Sequence, residues 1–95
     1  MGNIIDLKIS RVYFEKDRDN RLELRLANFP LEKGDIIRFH EYDKETNTYT
    51  GRYFDKVVND FHKVHKALRV YSKEDLEKYG LYVLELLDSK ETKVK

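Results

Sequence analysis

The chain has no cysteine, tryptophan or glutamine, and only one proline, one methionine and four glycines among 95 residues. Without cysteine there can be no disulfide, no zinc–thiolate site and no thiol nucleophile. Small secreted domains usually need such staples to supplement a thin core, so the expected compartment is the cytoplasm. Met1 to Asp6 lacks a basic stretch followed by a long apolar run, so no secretory leader is expected. No apolar run approaches the roughly 20 residues that cross a bilayer, and no membrane partner is expected. Charge of one sign is also missing: 19 Lys and Arg face 18 Asp and Glu, a net charge of +1. That balance excludes a protein that coats nucleic acid by charge alone, though not a local basic patch.

Chemistry-bearing motifs are equally sparse. There is no Gly-rich phosphate loop, and no order of Ser, His and Asp nominates a triad. His62 and His65 would share a helical face, with His40 as a third ligand, but no acidic residue stands at a metal-motif spacing. Neither a metal nor a cofactor is expected.

What is present fits one small core. Hydrophobic residues make up 40% of the chain, enough for a single domain but not two. Residues 1–87 form that domain. Residues 88–95 (DSKETKVK) read as a polar tail, expected to be disordered.

Ile5, Leu7 and Ile9 alternate with Asp6 and Lys8, the period of a half-buried strand. After Ser10 the phase slips to Val12 and Phe14. Either the strand continues into a hairpin closed at Asp17-Arg18-Asp19-Asn20, or Ser10 caps a short helical turn; the local pattern favours the hairpin. Arg21 to Leu26 reads as a strand with Leu22, Leu24 and Leu26 on one face. Glu32-Lys33-Gly34-Asp35 reads as a tight turn into a strand from Asp35 to Tyr42, and Asp43 to Thr48 as a hairpin loop before Tyr49. Phe54 to Leu68 fits a helix or a strand equally. Ser72 with Asp75 has the form of a capping box, Lys73 to Tyr79 a short helix ending at Gly80, and Leu81 to Leu87 a central strand. The fold class is therefore α+β: a small, mostly antiparallel β-barrel with one or two short helices.

The run Leu31-Glu32-Lys33-Gly34-Asp35-Ile36-Ile37-Arg38-Phe39, preceded by Glu23-Leu24-Arg25, resembles the ASCH domains of the PUA-like superfamily. In those domains a Glu-x-Arg strand precedes a Gly-Asp turn into the next strand. Glu41-Tyr42-Asp43 and Tyr49-Thr50-Gly51-Arg52 look like an uncharacterised ASCH-like group common in phage and mobile elements. Lys78 to Leu86 is similar to the last barrel strand of ASCH proteins. The resemblance implies RNA or modified-nucleotide binding in a pocket beside the Glu23/Arg25 strand. Some ASCH relatives resemble amidohydrolases that act on a modified nucleoside, and they use a signature lysine. Asn20 stands at that position here and Arg18 at the signature glycine, so only Lys16 or Lys33 could replace it.

The expected ligand-binding residues are Glu23, Arg25, Arg52, Tyr13 and Tyr42. Arg25 would hold a phosphate or base acceptor, Glu23 would accept from an exocyclic amine, and Tyr13 or Tyr42 would stack. Alongside RNA or nucleotide binding stand two alternatives: hydrolysis of a modified nucleoside, and a mobile-element protein-interaction module using an exposed sheet edge. The chain is expected to be a monomer or weak dimer. Leu22, Leu24, Ile37, Phe39, Val83 and Leu86 are expected in one core, and Gly34 at positive φ.

Overall fold

Strand periods, one capped helix after Ser10 and a second after Ser72 divide the described residues into seven elements. The computed structural model describes residues 2–64 and 71–88. In chain order these are β1 (Ile4–Ser10), α1 (Arg11–Arg18), β2 (Leu22–Leu26), β3 (Ile36–Asp43), β4 (Thr48–Val64), α2 (Lys73–Tyr79) and β5 (Leu81–Asp88). The strands form one sheet in the order β1-β3-β4-β5-β2. β1 and β3 are parallel and the other three pairings are antiparallel. The sheet curls into a half barrel, so β1 and β2 are its two edges.

Alternation along the strands gives the sheet an inner and an outer face. Ile9, Ile37, Phe39, Val58, Leu84 and Leu86 are buried on the inner face, and Phe14 of α1 joins them with no exposure at all. Ile37, Phe39 and Leu86 thus lie in the core as the sequence indicates, while Val83 is half-buried. β5 lies between β4 and β2, and its burial follows from that central place.

The Gly-Asp turn has a physical basis. Gly34 takes φ 92°, where a side chain is strained. The buried Asp35 carboxylate accepts the backbone N–H of Asn3 at 3.0 Å and of Glu32 at 2.9 Å. The Asp35 carbonyl accepts Val58 N–H, and Gly34 N–H donates to the Val58 carbonyl, both at 2.8 Å. One turn therefore fixes the starts of β1 and β3 against β4.

Two expectations are corrected. The stretch after Ser10 is helix, not hairpin. The Ser10 hydroxyl accepts Val12 N–H at 3.4 Å, Lys16 and Arg18 occupy the last turn, and Phe14 turns inward while Val12 stays exposed. A hairpin would have paired β2 with β1, yet β2 pairs with β5 and β1 runs parallel to β3. A parallel pair requires a crossover, and α1 begins it.

The second correction is the phase of β2. Leu22 is 67% exposed and Leu24 is 47% exposed, on the outer face, while Glu23 and Arg25 point inward. Period-2 alternation identifies two faces, not which one meets the core. Phe54 to Val64 is strand, and 65–70 lie outside the described residues, as do 89–95.

Leu24→Ala should therefore change stability by less than about 1 kcal/mol, as a surface substitution does. Phe39→Ala should cost about 3–5 kcal/mol. Gly34→Ala should cost about 1 kcal/mol from backbone strain alone, because an added Cβ meets no atom within 4 Å. Urea unfolding of the three variants checks the ranking; a Leu24→Ala loss as large as that of Phe39→Ala would contradict the phase of β2.

Candidate functional site

Charged side chains on the inner face of a half barrel must be paired or solvated. Here they surround an aromatic cluster. Phe39 stacks on Phe54 with centroids 5.1 Å apart, and Phe14 meets Phe54 edge-on at 5.3 Å. Around these rings sit Arg52 over Phe14 at 4.5 Å, Arg18 over Phe14 at 5.2 Å, Arg25 over Phe39 at 5.5 Å and Lys56 over Phe54 at 5.9 Å. Each distance permits a cation–π attraction.

Glu41 is the buried anion at the α1 end. Between the pairs His40↔Tyr53 and Tyr42↔Tyr49 the register shifts, leaving Thr50, Gly51 and Arg52 opposite Glu41. Gly51, at φ 95°, permits the bulge. Thr50 Oγ1 donates to Glu41 Oε1 at 2.5 Å, and Arg52 donates from Nε to Oε1 at 2.9 Å and from Nη2 to Oε2 at 2.8 Å. Arg52 Nη1 also donates to Glu15 Oε2 at 3.1 Å, tying α1 to β4. The Arg52 hydrogen bonds, then that of Thr50, hold the Glu41 carboxyl at about 2, well below its usual 4.5, against the opposing effect of burial.

Glu23 and Arg25 lie where the sheet edges approach each other. Arg25 Nε donates to Glu23 Oε2 at 2.7 Å, and Nη1 donates to the Lys8 carbonyl at 3.3 Å. Lys8 is on β1 and Arg25 on β2, so this side chain bridges the open seam of the half barrel. Glu23 is 14% and Arg25 22% exposed at the side chain. Desolvation raises the Glu23 pKa; Arg25 works against the rise, and Asp17 of α1 adds to it. Arg25 is the only hydrogen-bond partner of the Glu23 side chain among the described residues. No buried side-chain nitrogen or oxygen among those residues lacks a partner. Among the described residues Glu23 Oε1 and Arg25 Nη2 make no hydrogen bond, and neither is a buried atom left without a partner.

The five expected binding residues thus fall into separate places. Glu23 and Arg25 touch each other. Arg52 shares their face but is engaged by Glu41 and Glu15. Tyr13 is exposed on α1, one turn before Asp17, the helix residue that acts on Glu23. Tyr42 is on the outer face, beside Tyr49 and under Lys8 Nζ. Sequence reasoning missed Glu41, Lys56 and Arg18. Lys56 is 2% exposed and donates to Asp88 Oδ1 at 2.8 Å. Its signal was faint: Lys56 occupies the inward phase between Phe54 and Val58. Lys33, one of the two possible lysine substitutes, is exposed and meets Asp60 at 3.4 Å; Lys16 lies over the Tyr13 ring.

No group of three or more His, Asp or Glu is arranged to hold a metal ion among the described residues. His40 is bonded to Asp6 at 2.7 Å, and His65 lies outside the described residues. A hollow of about 350 Å³ at the opposite end is lined by Ile4, Ile5, Phe29, Leu31 and Asp35, among others. Both Asp35 oxygens accept backbone N–H groups, which leaves Asn3 and Glu32 as the other polar residues of its lining. Among the described residues no helix is long and apolar enough to cross a membrane.

No protein-family model and no curated protein matches this chain. Among solved structures it is similar to the crystal structure of hypothetical protein PH0355, with a TM-score of 0.62 and 18% identity. The match covers 87% of this chain and 96% of that one. At that identity the likeness is one of fold. The curled half-barrel sheet is compatible with a PUA-like fold.

The Glu41 site predicts an acid limb of stability. Its folded value lies below the unfolded one, so the unfolded chain takes up the proton first as pH falls. The stabilisation is complete above about 4.5 and is lost progressively towards 2. Glu41→Gln should flatten the stability–pH curve across that window, read by urea unfolding at stepped pH. Parallel curves for the two proteins would contradict the assignment.

Proposed function

We propose that this domain binds RNA or a modified nucleotide at the seam between β1 and β2, as an ASCH-like member of the PUA-like superfamily would. One observation carries the reading: a largely desolvated Glu–Arg pair that leaves an acceptor and a donor side by side. Glu23 Oε1 accepts from an exocyclic amine, and Arg25 Nη2 donates to a neighbouring base or phosphate oxygen. A low-dielectric setting strengthens such bonds and penalises a ligand that fails to make them. Tyr13 on α1 supplies a ring beside the seam for stacking.

A binding module is favoured over a hydrolase by the state of the lysines. Asn20, at the signature lysine's position, hydrogen-bonds Asp17; of the two possible substitutes, Lys33 is engaged by Asp60 and Lys16 lies over the Tyr13 ring; Lys56 is engaged by Asp88 and packed at Phe54. None of these stands beside Glu23 as a free amine for acid–base work.

Arg25→Ala should weaken binding of single-stranded RNA or of the preferred nucleoside by about 1.5–3 kcal/mol, the range of a charge-assisted hydrogen bond. The salt dependence should be shallow, because each phosphate neutralised on a single strand contributes only about 0.7 to the log–log slope. Fluorescence titrations of wild type and Arg25→Ala against RNA and a modified-nucleoside panel read both quantities. Equal, weak binding by both proteins to every ligand would sink the proposal and favour the protein-interaction alternative.

A further inference from the structure

The outer face of β1, β3 and β4 carries chemistry that the seam does not use. Register places its side chains in four rows: Ile4, Ile36 and Val57; Asp6, Arg38 and Asp55; Lys8, His40 and Tyr53; Ser10, Tyr42 and Tyr49. The aliphatic side chains are confined to the first row, and none occurs in the other three. Tyr49 is 59% exposed and Tyr53 49% exposed. Tyr42 and Tyr49 meet edge-on at 5.0 Å, and His40 lies 6.1 Å from Tyr49 and 5.7 Å from Tyr53. The rings thus form one connected surface over two strands.

The charges on this face hold the rings in place. Arg38 donates to both oxygens of Asp55 and lies 4.5 Å over Tyr53. His40 is fixed by Asp6, and at the edge of the face Arg11 is paired with Asp43. Lys8 is the exception: its ammonium lies 4.5 Å over Tyr42 and has no carboxylate partner among the described residues.

We infer that this outer face is a stacking surface for single-stranded nucleic acid, separate from the seam. Rows two residues apart along a strand are spaced by about 6.6 Å, which suits successive splayed bases of an extended strand. Aromatic rings interleaved with cations form the platform on which single strands stack, whatever their sequence. The cations that fix the rings are neutralised, while Lys8 keeps its charge for a phosphate. A docking surface for a protein is built around an apolar core, whereas here the aliphatic row of Ile4, Ile36 and Val57 lies at one end and the aromatic rings occupy the rows beyond Arg38. Lys8 also belongs to the strand whose carbonyl meets Arg25, so the two surfaces adjoin across β1.

The test uses Tyr49→Ala/Tyr53→Ala, both at exposed positions, with short single-stranded RNA and DNA, the matching duplexes and mononucleotides as probes. The double variant should bind RNA and DNA strands about tenfold or more weakly for the pair of rings. Its mononucleotide binding should be unchanged, and wild type should prefer strands to duplexes. Lys8→Ala should lower the salt slope by about 0.7. Arg25→Ala should lose mononucleotide affinity, which the tyrosine variant keeps, so failure at the seam and failure on this face are told apart. Strand binding that is unchanged in the tyrosine variant overturns the inference. So does wild type that binds no strand, or a variant whose only change is loss of self-association in sedimentation.

Discussion

The structure turns on the buried Glu41 carboxylate and the three donors that Thr50 and Arg52 aim at it. A carboxylate this deeply buried is tolerated only when its oxygens are filled. Filling them requires the bulge at Gly51, since a regular ladder would not present Thr50 and Arg52 to one position. Arg52 then reaches on to Glu15, which fixes α1 over the inner face and seats Phe14 against Phe54. One ion pair thus connects a β-bulge, a helix and the core.

The same arrangement divides the labour of the two sheet faces. Inside, four cations ring the phenylalanines, and Arg25 spans the seam that the sheet leaves open. Its hydrogen bond to the Lys8 carbonyl takes the place of the strand pairing that would close a full barrel. An opening closed by a side chain can yield to a ligand with better hydrogen bonds; an opening closed by a ladder cannot. Outside, Ile36, Arg38, His40 and Tyr42 occupy the positions of β3 that alternate with its buried residues, and Tyr49 and Tyr53 of β4 lie beside them.

Much of this was legible in the sequence. Strand periods identified β1, β3 and β5, and the Ser72 cap and Gly80 bounded α2, because those signals are local. Gly34-Asp35 also announced its turn locally. The phase of β2 was not legible: Leu22, Leu24 and Leu26 alternate cleanly, but alternation does not say which face meets the core, and in the fold Arg25 lies over Phe39. The helix after Ser10 was obscured because Val12 and Phe14 alternate like a strand; only the parallel pairing of β1 with β3 demands the crossover. Glu23 and Arg25 were recognisable as neighbours. The separation of Tyr42 from them was not, since it depends on the inverted face of β2.

The central claim is that the Glu23–Arg25 pair at the seam is a ligand site. It is tested most directly by amide and arginine side-chain NMR of the protein titrated with a panel of natural and modified nucleosides. The account predicts perturbations centred on Glu23, Arg25, Lys8 and Tyr13, with the Arg25 Nε–H signal moving as its bond to Glu23 is rearranged. Saturable shifts confined to other residues, or none with any nucleoside, would contradict it.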